Sequence, residues 1–148
     1  MNCYLCEKTP LVGEIIEFLK DLSKEDRKEF LFDKKNEAMA INEFIQNLKY
    51  SKTYCLRLNS GKIIAMGGFV KGVEKGQYLV WLLCSESSKN FKKTIYKTVV
   101  NLINNFKYRT LVALVFRESK NHINFIKKAL NFNVISEKGQ LYVYLKES

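Results

Sequence analysis

Tyr78-Leu79-Val80-Trp81-Leu82-Leu83-Cys84 and Thr110-Leu111-Val112-Ala113-Leu114-Val115-Phe116 are two apolar runs of strand length. A polar turn, Ser85-Glu86-Ser87-Ser88, follows the first run. A basic amphipathic segment then extends from about Lys89 to Phe106. After the second run, helical spacing resumes from about Asn121 to Leu130. The stretch from Tyr78 to Phe132 therefore reads as strand, helix, strand, helix. A crossover helix makes Gln77–Cys84 and Thr110–Phe116 parallel neighbours at the sheet centre. Their apolar residues barely alternate, so burial on both faces is expected. Phe91, Ile95, Val99, Leu102, Ile103 and Phe106 follow helical spacing and should pack on the sheet, with Lys92, Lys93 and Lys97 toward solvent. The start of that helix is where a phosphate-bearing group would sit. The turn that would hold it contains no glycine.

Working outward, a short strand is expected from about Asn2 to Cys6, ending before Pro10. Leu11, Ile15, Phe18, Leu19 and Leu22 mark a first helix. Ser23-Lys24-Glu25-Asp26 is a capping signal, with Ser23 as the N-cap of a second, short helix ending near Phe32. Ala38, Ile41, Phe44, Ile45 and Leu48 mark a third. The period then changes to two. Thr53–Leu58, Lys62–Val70 and Gln77–Cys84 read as a three-stranded antiparallel meander with turns at Asn59-Ser60-Gly61 and Lys71–Gly76. Gly67-Gly68 inside the second of these strands suggests a bulge or a close backbone approach. Asn133–Glu137 and Gln140–Leu145 form a terminal hairpin around Lys138-Gly139. The class is α/β (α+β): a mixed sheet of about six to seven strands flanked by helices, as one domain over residues 1–148.

Composition narrows the function. The chain has 148 residues and is 47% hydrophobic, which excludes a disordered chain. No apolar run approaches the ~20 residues of a membrane span. Met1-Asn2-Cys3-Tyr4 lacks the basic-then-apolar order of a signal peptide, so a cytoplasmic location is expected. Cys3 and Cys6 form a C-x-x-C. Cys55 and Cys84 lie far away in strand patterns, and the one histidine is His122. Ordinary reduced cysteines with no metal site are the better reading. The net charge of +10, from 25 Lys+Arg against 15 Asp+Glu, favours polyanionic or acidic partners. The excess is nearly all lysine, whereas base readers and phosphate clamps favour arginine. A nucleic-acid site along the lysine helix is accordingly the weaker option.

The element order carries further marks. They are Asp26-Arg27-Lys28-Glu29, Ala65-Met66-Gly67-Gly68, Trp81-Leu82-Leu83, His122-Ile123-Asn124-Phe125-Ile126-Lys127 and Gly139-Gln140-Leu141-Tyr142. In this order and spacing they resemble the GNAT (Gcn5-related N-acetyltransferase) fold over nearly the whole chain. A closer resemblance is to the GNAT-like proteins of short-tailed phages, including the internal virion (core) protein A family. The resemblance implies acetyl-CoA or CoA as cofactor. The family holds its pyrophosphate on a glycine-rich turn after the central strand. Here that place is taken by Ser85-Glu86-Ser87-Ser88-Lys89-Asn90-Phe91-Lys92-Lys93. Ser85, Ser87, Ser88, Lys89, Lys92 and Lys93 are the candidate cofactor contacts, through hydroxyls and charge. Glu86 would face the phosphates with the wrong sign. Glu86 is also the candidate catalytic base for an amine, as the one acidic residue at the end of the central strand. The family's general-acid tyrosine falls in register at Lys127, counted from Asn131-Phe132, which stands where the family usually has Gly-Phe. Cys84 could act as a nucleophile only with a base beside it.

Two readings follow. In the first, the acetyl-CoA site is degenerate, and the chain is a phage- or prophage-type protein bound to a virion or host component. In the alternative, it is an acetyl-CoA-dependent N-acyltransferase with a non-standard pyrophosphate loop. The missing glycines and tyrosine favour the first, and they predict weak acetyl-CoA binding.

Overall fold

The computed structural model describes residues 3–148. In chain order its elements are β1 (Cys3–Cys6), α1 (Val12–Lys20), α2 (Lys24–Leu31), α3 (Glu37–Asn47), β2 (Ser51–Leu58), β3 (Ile63–Lys71), β4 (Gln77–Cys84), α4 (Lys92–Asn105), β5 (Thr110–Phe116), α5 (Lys120–Asn124), β6 (Asn133–Lys138) and β7 (Leu141–Glu147). Among the described residues the strands form a seven-stranded mixed sheet in the order β1-β2-β3-β4-β5-β7-β6. The predicted elements are all present, most within two residues of their expected ends. The expected start of β1 at Asn2 lies outside the described residues. No helix among those residues is long and apolar enough to cross a membrane. The chain divides into two compact units: Met1–Phe69 with Leu82–Lys92, and Val70–Trp81 with Lys93–Ser148.

In the first unit, β1 pairs antiparallel with β2, Cys3 opposite Leu58 and Cys6 opposite Cys55. Ile15, Phe18 and Leu19 of α1 and Ile64, Ala65 and Met66 of β3 are buried. Burying each large side chain stabilises the fold by roughly 1.5–3 kcal/mol. Ser23 caps α2 as its sequence promised, accepting from Asp26 N–H at 3.3 Å. Glu14 is the acidic residue of the first turn of α1. Its carboxylate accepts from Arg57 Nη1 at 2.6 Å and from the Leu11 N–H at 3.1 Å. The Arg57 hydrogen bond, then the one from Leu11, holds Glu14 below the ordinary carboxylate range. A carboxylate with a lowered folded pKa contributes stability above its unfolded pKa of about 4.3 and loses it as pH falls through the folded value. Glu14→Gln should therefore flatten the acid limb of a Tm-versus-pH curve, with little change in its shape above pH 5.

Gly68 is the close approach foreseen for Gly67-Gly68. A Cβ built there would lie 2.3 Å from the Lys52 carbonyl oxygen on β2. The obstacle is backbone, so relief requires the strands to separate. Gly68→Ala should cost ~2 kcal/mol, within the range for overpacking, read as a lower midpoint in urea at unchanged slope.

In the second unit, β4 and β5 are parallel, Gln77 opposite Thr110 and Leu79 opposite Val112. The α4 crossover demands this arrangement. β5 pairs antiparallel with β7 along its whole length, from Thr110–Glu147 to Phe116–Leu141. β7 pairs with β6, with a register shift between Val134 and Ser136. Ile95 and Ile103 of α4 are buried, and Phe106 meets Tyr78 edge to face at 4.8 Å. Lys92, Lys93 and Lys97 are exposed, as their helical spacing requires. The last helix changes form: α5 passes into one π-helical turn, Phe125–Ala129. Phe125 there stacks on Tyr96 of α4, centroids 4.2 Å apart and planes 16° apart. Asn131 ends it at φ 59, a left-handed residue that asparagine tolerates best after glycine. This explains how Asn131-Phe132 can replace the Gly-Phe to which it was compared.

One expectation is corrected. β5 is largely buried, but every residue of β4 except Leu83 is only half-buried. The cause is the pairing. Among the described residues the β4–β5 register stops at Leu79 and Val112, although β4 continues to Cys84 and β5 to Phe116. The two strands part, and apolar side chains of a central strand stay open.

Candidate functional site

The parting of β4 from β5 has a chemical consequence. Val80 on β4 and Ala113 to Val115 on β5 lie beyond the last β4–β5 ladder pair, while β5 stays paired with β7. Leu114 among them is 47% exposed, unusual for a large aliphatic residue in an inner strand. The result is an apolar slot between the parted strands.

β4 runs into the turn at Ser85. The expected helix start at Lys89 is displaced: residues Glu86–Phe91 form a 3-10 turn, and α4 begins at Lys92. The turn is tied to its own unit at nearly every polar group. Ser85 N–H donates to Ile64 O at 2.9 Å, Glu86 N–H to Asp21 O at 2.7 Å and Ser88 N–H to Ser85 O at 3.1 Å. Ser87 Oγ donates to Asp21 Oδ2 at 3.0 Å and accepts from Lys62 Nζ at 3.0 Å. Ser88 is buried, and its hydroxyl donates to Ser85 O at 2.7 Å. Glu86 is exposed and ion-pairs with Lys89. Ser85 is fully buried, and its hydroxyl has no partner among the described residues.

The predicted site residues are thus close in sequence but divided in role. Ser85, Ser87 and Ser88 build the turn. Lys92 and Lys93 stand free on α4, and Lys89 neutralises Glu86. A pyrophosphate does not fit this turn. The backbone donors it needs are engaged internally, and the Asp21 carboxylate already accepts from Ser87. The pantetheine arm of CoA is different. It is largely apolar, and that matches the exposed Leu114 and the half-buried Val80 and Trp81. Val80, Trp81, Ala113 and Leu114 would hold it.

One buried carboxylate escaped the sequence reading as anything but part of a capping signal. Asp26 is 1% exposed. Its Oδ2 accepts from Ser23 Oγ at 3.1 Å and from the Cys84 N–H at 2.8 Å. Ser23 N–H in turn donates to Cys84 O at 2.9 Å, and Leu22 bridges to Ser85. The start of α2 is thereby fixed to the end of β4. The only signal in the sequence was an acidic residue three positions after a cap, which describes any solvated capping box. The Cys84 thiol is pushed far up, first by burial and then by the Asp26 carboxylate beside it. Cys55 is pushed up to about 12, mainly by burial. Neither is a nucleophile at neutral pH. Lys127, in register with the family's tyrosine, is exposed, and His122 is half-buried in the first turn of α5.

No protein-family model matches the chain, and no curated protein matches its sequence. Solved structures do match. The chain covers 99% of itself and 98% of PH1933 from Pyrococcus horikoshii OT3, with a TM-score of 0.74 at 12% identity. A GNAT-family acetyltransferase from Bacillus anthracis gives a TM-score of 0.69 at 10% identity, covering 99% of this chain and 95% of that one. This is the GNAT fold. A third GNAT-fold neighbour is spermidine N-acetyltransferase from Vibrio cholerae, solved with CoA and spermine. It has a TM-score of 0.68 at 9% identity and covers 99% and 95% of the two chains. At such identities the likeness carries the fold, and the chemistry must be argued from the residues.

Proposed function

We propose that this protein is a GNAT-type N-acyltransferase, moving an acyl group from a pantetheine thioester to an amine. The observation that carries this reading is the divergence of β4 and β5 after Leu79 and Val112. A pantetheine arm lying in that slot would place its thioester beside β4. The bound donor supplies an activated acyl carbon. Glu86 accepts the proton of the incoming ammonium group, directly or through water, with Lys89 ion-paired beside it. Lys127 stands in the register of the family's proton donor to the departing thiol. The N-acetyltransferase neighbours favour this reading over the degenerate binding protein that the turn's sequence suggested. Two of those named above are acetyltransferases, and nothing in their names points to a virion.

The closed turn gives the second reading its own support, a binding protein without transfer chemistry. Thiol release separates the two. With acetyl-CoA or S-acetyl-pantetheine at millimolar concentration and a panel of primary amines, including spermidine and lysine peptides, amine-dependent release is expected. Glu86→Gln should lower it about a hundredfold, at the low end of a general base's contribution. No amine-dependent release from either donor would leave the binding protein as the reading.

A further inference from the structure

Away from the slot, at the start of β5, the second unit holds an open pocket of about 840 Å³. That volume lies within the ~300–1,000 Å³ of sites that enclose cofactor-sized molecules, and is far more than a lone inorganic ion fills. Its frame is main chain. Gly76, at φ 77 just before β4, accepts at its carbonyl from the Arg109 and Thr110 N–H groups at 2.8 and 3.1 Å. The Ser148 N–H donates to Arg109 O at 3.1 Å. These bonds tie the starts of β4 and β5 to the end of β7, so the pocket is formed before a ligand arrives.

Its walls combine two chemistries. The first is positive charge. Lys75, Lys107, Arg109 and Lys146 all line it. Lys146 is committed, donating from Nζ to Leu130 O at 2.7 Å. Lys75, Lys107 and Arg109 are exposed, and among the described residues none of them enters an ion pair. Among those residues Glu147 is the one acidic side chain that lines the pocket. The C-terminal end of α4 also borders it, at Ile103 and Asn104, with a partial charge of roughly −0.5. Three free, full positive charges outweigh both. Surface lysines alone would be ordinary on a chain of net charge +10. The second chemistry sets these apart, and it is flat apolar surface. Phe106 and Tyr108 line the same pocket, together with the buried Ile103. Phe106 is held edge to face against Tyr78, centroids 4.8 Å apart. Burial holds the Tyr108 phenol above its ordinary value, so its ring meets an anionic ligand without charge.

We infer that this pocket binds a small ligand carrying phosphate groups on an aromatic ring system, the chemistry of a nucleoside diphosphate. The planar fork of Arg109 suits phosphate oxygens bidentately, with Lys75 and Lys107 as point charges beside it. The base suits the Phe106 and Tyr108 rings, and stacking of this kind tolerates any base. The site draws on neither the slot between β4 and β5 nor Glu86, so it stands whether or not the chain transfers acyl groups.

The test is calorimetric titration of the full chain at low salt with ADP, adenosine and inorganic pyrophosphate. ADP should bind at least tenfold more tightly than either fragment, because only ADP engages both chemistries. Its affinity should fall as salt is raised, through screening of the exposed cations. The double variant Lys107→Gln, Arg109→Gln should weaken ADP at least tenfold at unchanged Tm. Lys75→Gln, in an exposed turn where no packing is at stake, should weaken ADP severalfold and serves if the double variant fails to fold. Tyr108→Leu should weaken ADP severalfold and leave pyrophosphate unchanged. Glu147→Gln should strengthen ADP severalfold. Pyrophosphate binding as tightly as ADP would overturn the inference, since the rings would then contribute nothing. ADP binding that survives the cation variants but is lost in Leu114→Glu would overturn it by placing the nucleotide in the slot. Failure of ADP to bind would overturn it and leave the acyltransferase reading standing, since thiol release tests that reading separately.

Discussion

Asp26→Ala should lower the unfolding free energy by ~3 kcal/mol, the cost of leaving buried donors without a charged acceptor. The reason is geometric. Asp26 is buried, and one of its carboxylate oxygens serves both Ser23 Oγ and the Cys84 N–H. Alanine removes that acceptor and strands the Cys84 amide at the end of the central strand. Water cannot reach a site this closed without opening α2. Asp26→Asn keeps an oxygen but loses the charge, and should cost about half as much, since a neutral hydrogen bond is worth roughly half a charge-assisted one. Urea unfolding at pH 7 provides both values. A loss below about 1 kcal/mol for Asp26→Ala, the scale of an exposed capping residue, would mean the carboxylate only caps α2.

Leu114→Glu should reduce kcat/KM for any pantetheine thioester at least tenfold, about 1.4 kcal/mol of transition-state stabilisation. Leu114 is among the most exposed large aliphatic residues of the inner strands, so its replacement disturbs little of the core. A carboxylate there would have to be desolvated by the arm that fills the slot. Stability should change by less than ~0.5 kcal/mol, the usual range for surface substitutions. Steady-state thiol release checks the rate, and a Tm checks the fold. An unchanged kcat/KM would place the donor away from β5.

The fold was legible because its signals are local and redundant. The period of two in Thr53–Leu58 and the helical stripe from Ile95 to Ile103 each name one element. The crossover between Cys84 and Thr110 leaves only a parallel pairing. The site was less so. Apolar runs in β4 and β5 look alike, and nothing in them says that pairing stops at Leu79. That depends on where β5 is held by β7 along its full length. The absence of glycine in Ser85–Ser88 was visible and raised doubt about the pyrophosphate. The reason the turn is closed was not visible, because Asp21 and Ile64 are distant in sequence. Lys92 and Lys93 were legible as solvent-facing cations, whereas Lys89 was not legible as the partner of Glu86. Asp26 was hidden by its ordinary capping motif: burial of that carboxylate requires β4 to end above it, a tertiary fact.

The slot between β4 and β5 is the centre of this account, and hydrogen exchange tests it most directly. Amide exchange of the full chain should be followed with and without saturating S-acetyl-pantetheine. A ligand bound in the slot will slow exchange in peptides that cover Val80 and Ala113 to Val115, by at least tenfold. Peptides from α1 and β1 should not change. Exchange at Val80 and Ala113–Val115 that stays the same under saturating ligand, or protection confined to other elements, would contradict the account.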